Sequence, residues 1–279
     1  MSIQIRAFLL LAFAAIVWGL SFKPTQWILE TSGVYEYLFY RFFISAIVFF
    51  LITKKDILLH YKKTYFCGII TGICMGIAFV TQTLALPHTQ SSSVAFLTGL
   101  SVIIVPFLNF IINKEKISIK AVLLSFIACI GMFFFSDANL NNFGIGEYFS
   151  IICAFFFGLL IILNTRYLKD NDLNTFVFFQ FLGCVILCFL ASIFLDKLSV
   201  SPIKNLDVFL YIVAAALVLT IFCFFAQNYA QKYLSAEKVA ILLLLEPISA
   251  GILGYFYGEI FTTLQIIGAG LILIALAFS

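Results

Sequence analysis

Of 279 residues, 63% are hydrophobic and 10% are charged, 35 are phenylalanine, and the net charge is +3. Soluble domains average roughly 45–50% apolar and 25% charged residues, so this composition reads as an integral membrane protein and excludes a soluble globular domain. Its apolar runs are continuous rather than alternating in ten-residue units, which excludes a β-barrel.

Ten runs approach the ~20 residues that cross a ~30 Å hydrocarbon core as a helix. The predicted limits are 5–23, 34–52, 65–86, 91–112, 119–136, 146–164, 173–195, 208–230, 236–257 and 262–278. The first run carries Arg6 ahead of it, as a signal peptide would, but it is long and "VWGLSFKP" offers no A-x-A cleavage site, so it reads as a retained helix. The second run holds Tyr40 and Arg41, and the third holds Gln82. Ser91, Ser92 and Ser93 open the fourth as expected caps, and Pro106 lies within it. The eighth holds Gln227, and the ninth has Glu246 and Pro247 at its middle. Gly131, Gly251, Gly254, Gly268 and Gly270 suit close helix approach, with the glycines of "GILG" and "GAG" expected between helices 9 and 10.

Lysine and arginine in short loops set orientation. Placing the N-terminus inside gives a cytoplasmic set of Arg6, Lys54, Lys55, Lys62, Lys63, Lys114, Lys116, Lys120, Arg166, Lys169, Lys232 and Lys238, against Lys23, Lys197 and Lys204 outside. Both termini are therefore expected in the cytoplasm. The same rule accounts for the small positive charge, and no nucleic-acid partner is needed to explain it. The seven cysteines lie in apolar runs without C-x-x-C spacing and read as small core residues, so neither a disulfide nor a metal is expected.

The two halves of the chain match. "TQTLALPHTQSSSVAF" (81–96) lies over "AQNYAQKYLSAEKVAI" (226–241), which pairs Gln82 with Gln227 and Ala95 with Ala240. After a one-residue gap Glu115 falls on Glu259, and upstream "WGL" (18–20) falls on "FGL" (157–159). Five helices per half is an odd number, so the second half enters from the opposite face. Inverted repeats of this kind are built into many secondary transporters. The expected fold is all-α, ten transmembrane helices in two inverted five-helix repeats, 1–138 and 139–279.

"GLSVIIVPFLNFIINKEKIS" (99–118), "LSAEKVAILLLLEPISAGILGYFYGE" (234–259), "LQIIGAGLILIALA" (264–277), "VWGLSF" (17–22) and "YRFFISAIVFFLI" (40–52) together resemble the drug/metabolite transporter superfamily, in particular its EamA branch. The resemblance implies a central cavity walled by helices 1–4 and 6–9, with 5 and 10 peripheral, and transport of small polar metabolites or amino acids, often outward. Phe157 departs from it, standing where many members keep a tryptophan before the glycine, so the two cavity walls are unlike.

An ionisable side chain at bilayer depth costs roughly 2.5–3.5 kcal/mol on insertion scales, so it faces an interior or a wet cavity. Arg41 and Glu246 qualify. Arg41 either snorkels and bonds backbone carbonyls or offers a bidentate fork to a substrate carboxylate or phosphate. Glu246 either bonds backbone loosened by Pro247, or binds a cationic group or carries a coupling proton. Pro247, and Pro106 likewise, remove a helical hydrogen bond and are candidate hinges. Gln82 and Gln227 either join helices or offer amide contacts to substrate. Trp18 and Tyr40 either pack ordinarily or form an aromatic or cation–π wall. Glu115 and Glu259 read as helix-end capping and loop fixation.

The function expected is a secondary transporter of a small polar metabolite, an amino acid or related compound, by export or exchange. The alternatives are a carrier for a cationic or nucleoside-like compound, a channel, or a scaffold without transport. An enzyme is not expected: His60 and His88 lie near loops on opposite sides of the membrane, and no nucleophile–base pair is visible. There is no P-loop for ATP, and no cofactor is expected. The partners expected are a small-molecule substrate and the bilayer, for a monomer or homodimer. The abundance of Phe, Ile, Lys and Asn, as from an AT-rich genome, points to a bacterial inner membrane.

Overall fold

The computed structural model describes residues 2–116, 118–135, 144–196, 204–257 and 262–278, and no strand occurs among them. Helix α1 (Ile3–Leu29) starts at Ser2, whose hydroxyl accepts from the Ile5 amide, and runs through Pro24 beyond its expected end. Helix α2 (Val34–Ala85) is one unbroken helical run of 52 residues where two helices were expected. It nevertheless doubles back. Phe42 and Phe79 would lie roughly 55 Å apart along a straight helix at 1.5 Å per residue, yet their ring centroids are 5.3 Å apart. The reversal lies among the exposed Lys54, Lys55, Lys62 and Lys63, where Asp56 accepts hydrogen bonds from the side chains of Asn174 and Thr175.

Two short helices follow, α3 (Ser91–Gly99) and α4 (Ser101–Asn113), and then α5 (Ile119–Phe135) and α6 (Ile145–Tyr167). Gln90, rather than one of the serines, stands at the N-cap of α3, and no side chain bonds there. Helix α7 (Leu173–Ala191) is capped by Asp172 and runs on into a π turn, Ser192–Asp196. Helix α8 (Leu206–Gln231) interrupts its α geometry with a π segment, Ala215–Phe222. Then come α9 (Ala236–Leu243), α10 (Leu245–Phe256) and α11 (Thr263–Ala277).

Among the described residues, six helical stretches are long and apolar enough to cross a membrane: α1, the α3–α4 stretch from Ser93 to Asn113, α6, Leu173–Leu195, α8, and α9–α10. Residues 119–134 and α11 are shorter apolar helices.

The packing suits lipid as solvent. Outward-facing positions hold Ile52, Leu59, Ile119, Phe194 and Phe256, all more than 70% exposed, while Ser45, Asn164, Gln180, Thr220 and Asn228 are fully buried. Two apolar helices gain little in lipid from burying leucine against leucine, so close backbone approach and interior polar bonds hold such bundles together. Both arms of α2 pack on α7. A Cβ on Gly72 would lie 2.2 Å from the Gln180 carbonyl oxygen, and one on Gly183 would lie 2.5 Å from that of Ile69. Helix α5 meets α11 in the same way, with Gly131 against the Gly268 backbone at 2.7 Å. This corrects the expected glycine seam between helices 9 and 10: Gly268 faces helix 5, and a Cβ on Gly270 would meet nothing within 4 Å.

Hydrogen bonds identify two ends of the bundle. At one end the α2 reversal meets the start of α7, Arg166 donates to the Ile112 carbonyl, Lys169 pairs with Glu115 at 3.6 Å, and Asn109 reaches Glu237. At the other end Gln26 bonds the Leu86 carbonyl, Thr25 meets Tyr211, and Thr89 donates to Glu147. Lys54 to Lys63, Lys114, Lys116, Arg166, Lys169, Lys232 and Lys238 gather around the first end.

Candidate functional site: a cavity between the two halves

A cavity opens between helices of both halves of the chain, lined by α1, both arms of α2, α3, the start of α4, α6, α8, α9 and α10. No residue of α5 or α11 lines it. It reaches Thr25 and Leu86, at the end away from the lysine-rich connections. Its volume is about 60 Å³, room for several waters at roughly 10–15 Å³ each.

Aromatic rings form its middle, at positions that the repeat relates. Phe79 and Phe224 are 145 residues apart (224 − 79), the offset of Gln82 and Gln227, and their rings meet at 5.5 Å. Trp18 packs on Phe224 at 4.9 Å, and its repeat partner Phe157 packs on Phe79 at 5.4 Å. Gln82 and Gln227 both line the void, as do Ala95 and Ala240.

The polar groups break this symmetry. Arg41 lines the cavity at 4% exposure. Its Nε donates to Thr220 Oγ1 at 2.8 Å, and its terminal nitrogens donate to the Tyr37 hydroxyl and the Leu219 carbonyl, each at 3.4 Å. The guanidinium carbon lies 5.0 Å from the Phe79 ring centroid and 5.5 Å from that of Phe42, close enough for cation–π attraction. All three acceptors are neutral, and neither ion pair found among the described residues involves Arg41.

Gln180, the repeat counterpart of Arg41, lies outside the cavity in a chain of buried amides. Asn228 donates to Gln180 at 2.8 Å, Gln180 to Asn164 at 3.0 Å, Asn164 to Gln231 at 3.1 Å, and Gln231 to the Ile161 carbonyl at 2.8 Å. This chain ties α6, α7 and α8 together without a charge, while the first half places a cation at the equivalent point.

Glu246 lines the same cavity beside Pro247, opposite α1. Helix α1 approaches so closely that a Cβ on Gly19 would lie 2.0 Å from Ser249 Oγ and 2.2 Å from the Glu246 carbonyl oxygen. The ninth predicted helix is broken just ahead of this pair. Leu244 leaves α geometry and its amide bonds the Ile241 carbonyl, three residues back. Leu100 does the same between α3 and α4, bonding Leu97. Leu100 and Leu244 are 144 residues apart (244 − 100), the offset of Glu115 and Glu259. The breaks abut, since a Cβ on Gly99 would lie 3.3 Å from a Leu244 methyl. Pro247 stands three residues beyond its break and on the cavity. Pro106 is buried six residues beyond the other break and does not line the void.

Tyr40 is half-buried, packs on Phe39, and does not line the cavity. Trp18 lines it, and its indole Nε1 donates to the Leu219 carbonyl at 2.8 Å. That carbonyl belongs to the π segment, which the sequence does not signal: apart from Thr220, "AALVLTIF" is apolar and carries no phase pattern.

Below the cavity, at the lysine-rich end, Asn109 donates to Glu115 at 3.1 Å and to Glu237 at 2.7 Å, joining the first half to the second. Glu259 lies outside the described residues.

The EamA-like transporter family matches residues 5–137 and 144–279. Two relatives from Archaeoglobus fulgidus, each named an uncharacterized transporter, are 27% identical over 95% of this chain and 82% of the relative, and 26% identical over 68% and 67%. A solved structure titled "Crystal structure of protein" superposes with a TM-score of 0.78 at 16% identity, covering 98% of this chain and 95% of its own, which shows a shared fold. With a cavity between its halves and this match along nearly its whole length, the chain is an integral membrane protein that belongs to the EamA-like transporter family.

Proposed function

We propose that the protein is a secondary carrier that moves a small zwitterion, an amino acid or close relative, by alternating access between two inverted five-helix halves, in export or exchange. One observation carries this reading. Among the described residues, a guanidinium whose hydrogen-bond acceptors are neutral and a carboxylate face one small void between the halves, and neither ion pair joins them. A substrate with a carboxylate and an ammonium group supplies the missing partner of each. A charge held away from water without an opposite charge is costly, and Arg41 is buried, so the site favours a ligand that brings it an anion.

Six long spans and two short apolar helices, with the two arms of α2 counted as separate crossings, support a count of ten. The paired breaks at Leu100 and Leu244 and the mirrored ring contacts support the repeat. With the lysine-rich end on the cytoplasmic side, both termini lie inside and the cavity faces outward; the bacterial inner membrane is the proposed location. Asn109 and Glu237 then close the inner end, which fits a carrier better than an open channel. Glu246 is also our candidate for carrying a coupling proton.

Counterflow in proteoliposomes, against a mixed metabolite panel read by mass spectrometry, tests the reading. Saturable exchange of compounds bearing both an amine and a carboxylate is expected. Conductance without saturation, or no exchange of any such compound, would overturn it.

A further inference from the structure

Both first-half residues that give the cavity its character, Trp18 and Arg41, are held by one short stretch of the second half. Across Ala215–Phe222 the backbone takes π geometry, with hydrogen bonds to the fifth residue back, one residue further than in an α-helix. Such segments are rare and are frequently found at functional sites. Here the Leu219 carbonyl accepts from both the Trp18 indole and an Arg41 terminal nitrogen. The next residue, Thr220, is fully buried; its hydroxyl donates to the Ala215 carbonyl at 3.2 Å, which leaves an oxygen lone pair to accept the 2.8 Å bond from Arg41 Nε. One turn earlier, the Ala216 carbonyl accepts from Ser45, one helical turn after Arg41, so the two helices are pinned in register.

A guanidinium is planar, so a fixed Nε fixes the plane of the whole group. Of its five N–H groups, three are used by Thr220, Tyr37 and Leu219, and one remains on each terminal nitrogen. We propose that Thr220, presented by this π segment, is a positioning residue for substrate recognition: it sets the plane of Arg41 so that the unused N–H groups meet the substrate's carboxylate. The inference rests on the proposed role of Arg41 as carboxylate anchor. Thr220 touches no substrate itself. Since the bonds to Leu219 and Thr220 join the two halves, rocking that separates α2 from α8 releases the arginine and lowers its hold on the anion.

The test compares Thr220→Val with Thr220→Ser in the reconstituted full chain, with two readouts. The first needs no substrate. The chain has three arginines, Arg6, Arg41 and Arg166, and phenylglyoxal modification of each is followed by peptide mass spectrometry, with Arg6 and Arg166 as internal references. In Thr220→Val, Arg41 should be modified about fivefold faster or more, and in Thr220→Ser at nearly the wild-type rate, since loss of one charge-assisted bond is worth roughly tenfold or more in an equilibrium. The second is counterflow: Thr220→Val should raise half-saturation for an amino acid about tenfold with maximal exchange little changed, leave a carboxylate-free amine unaffected, and be rescued by serine.

An unchanged modification rate in Thr220→Val overturns the proposal. So does an equal loss of exchange for the amino acid and the amine, or a serine variant as impaired as the valine. A wild-type protein that exchanges no carboxylate-bearing compound overturns the transport reading instead, while the modification rates still report whether Thr220 holds Arg41.

Discussion

Replacing Gly72 with leucine is expected to destabilise the folded protein sharply. At this position α2 and α7 touch backbone to backbone: a Cβ would lie 2.2 Å from the Gln180 carbonyl oxygen and 2.9 Å from the Gly183 Cα. Neither is the end of a flexible side chain, so the helices must separate. That movement pulls on Gln180 and with it the amide chain joining α6, α7 and α8. Overpacking typically costs about 1–3 kcal/mol, and contact with rigid backbone places this variant at the upper end. The thermal midpoint in detergent, read by size-exclusion chromatography, should fall sharply for Gly72→Leu and stay unchanged for Gly270→Leu, whose Cβ has open space around it. Equal midpoints would contradict the packing described here.

Arg41→Gln should have the largest effect on transport. The substitution removes the cation and the fork while leaving an amide that can still reach Thr220. Hydrogen bonds to charged groups contribute about 1.5–3 kcal/mol, so half-saturation for an amino acid should rise roughly 10- to 100-fold, with a carboxylate-free amine exchanged as before. Arg41→Lys should fall between, because an ammonium keeps the charge but cannot form the planar two-point contact. Counterflow at graded concentrations measures this. Wild-type half-saturation in Arg41→Gln would reduce the arginine to a structural part bonded to α8.

The reasons some of this was legible in the sequence, and some was not, are physical. Arg41 and Glu246 stood out because a charge within an apolar run needs an interior to face, and both face the cavity. Gln82 and Gln227 stood out through the repeat, and they lie on the same void. Tyr40 was misjudged through adjacency: successive helical residues point about 100° apart, so a neighbour of Arg41 in sequence faces elsewhere. Tyr37, one turn earlier, is the tyrosine that touches Arg41. The helix breaks at Leu100, between Gly99 and Ser101 and six residues ahead of the expected hinge at Pro106, and Gly/Ser pairs are themselves a kink signal. The π segment left almost no trace, since shifting the phase of a stretch apolar at all but one position changes no pattern. Thr220, the sole polar residue in "AALVLTIF", was the only mark available, and its partner is 179 residues away.

The central claim is that Arg41 and Glu246 hold the two ends of one substrate. Counterflow tests it most directly, comparing an amino acid, the same compound without its amine, and the same compound without its carboxylate, in wild type and Glu246→Gln. The wild type should prefer the zwitterion to both analogues by about tenfold or more, since each lacks one charge-assisted contact, and Glu246→Gln should lose its preference over the deaminated acid while keeping that over the amine. A preference for the zwitterion that survives in Glu246→Gln, or a wild type indifferent among the three, would contradict it.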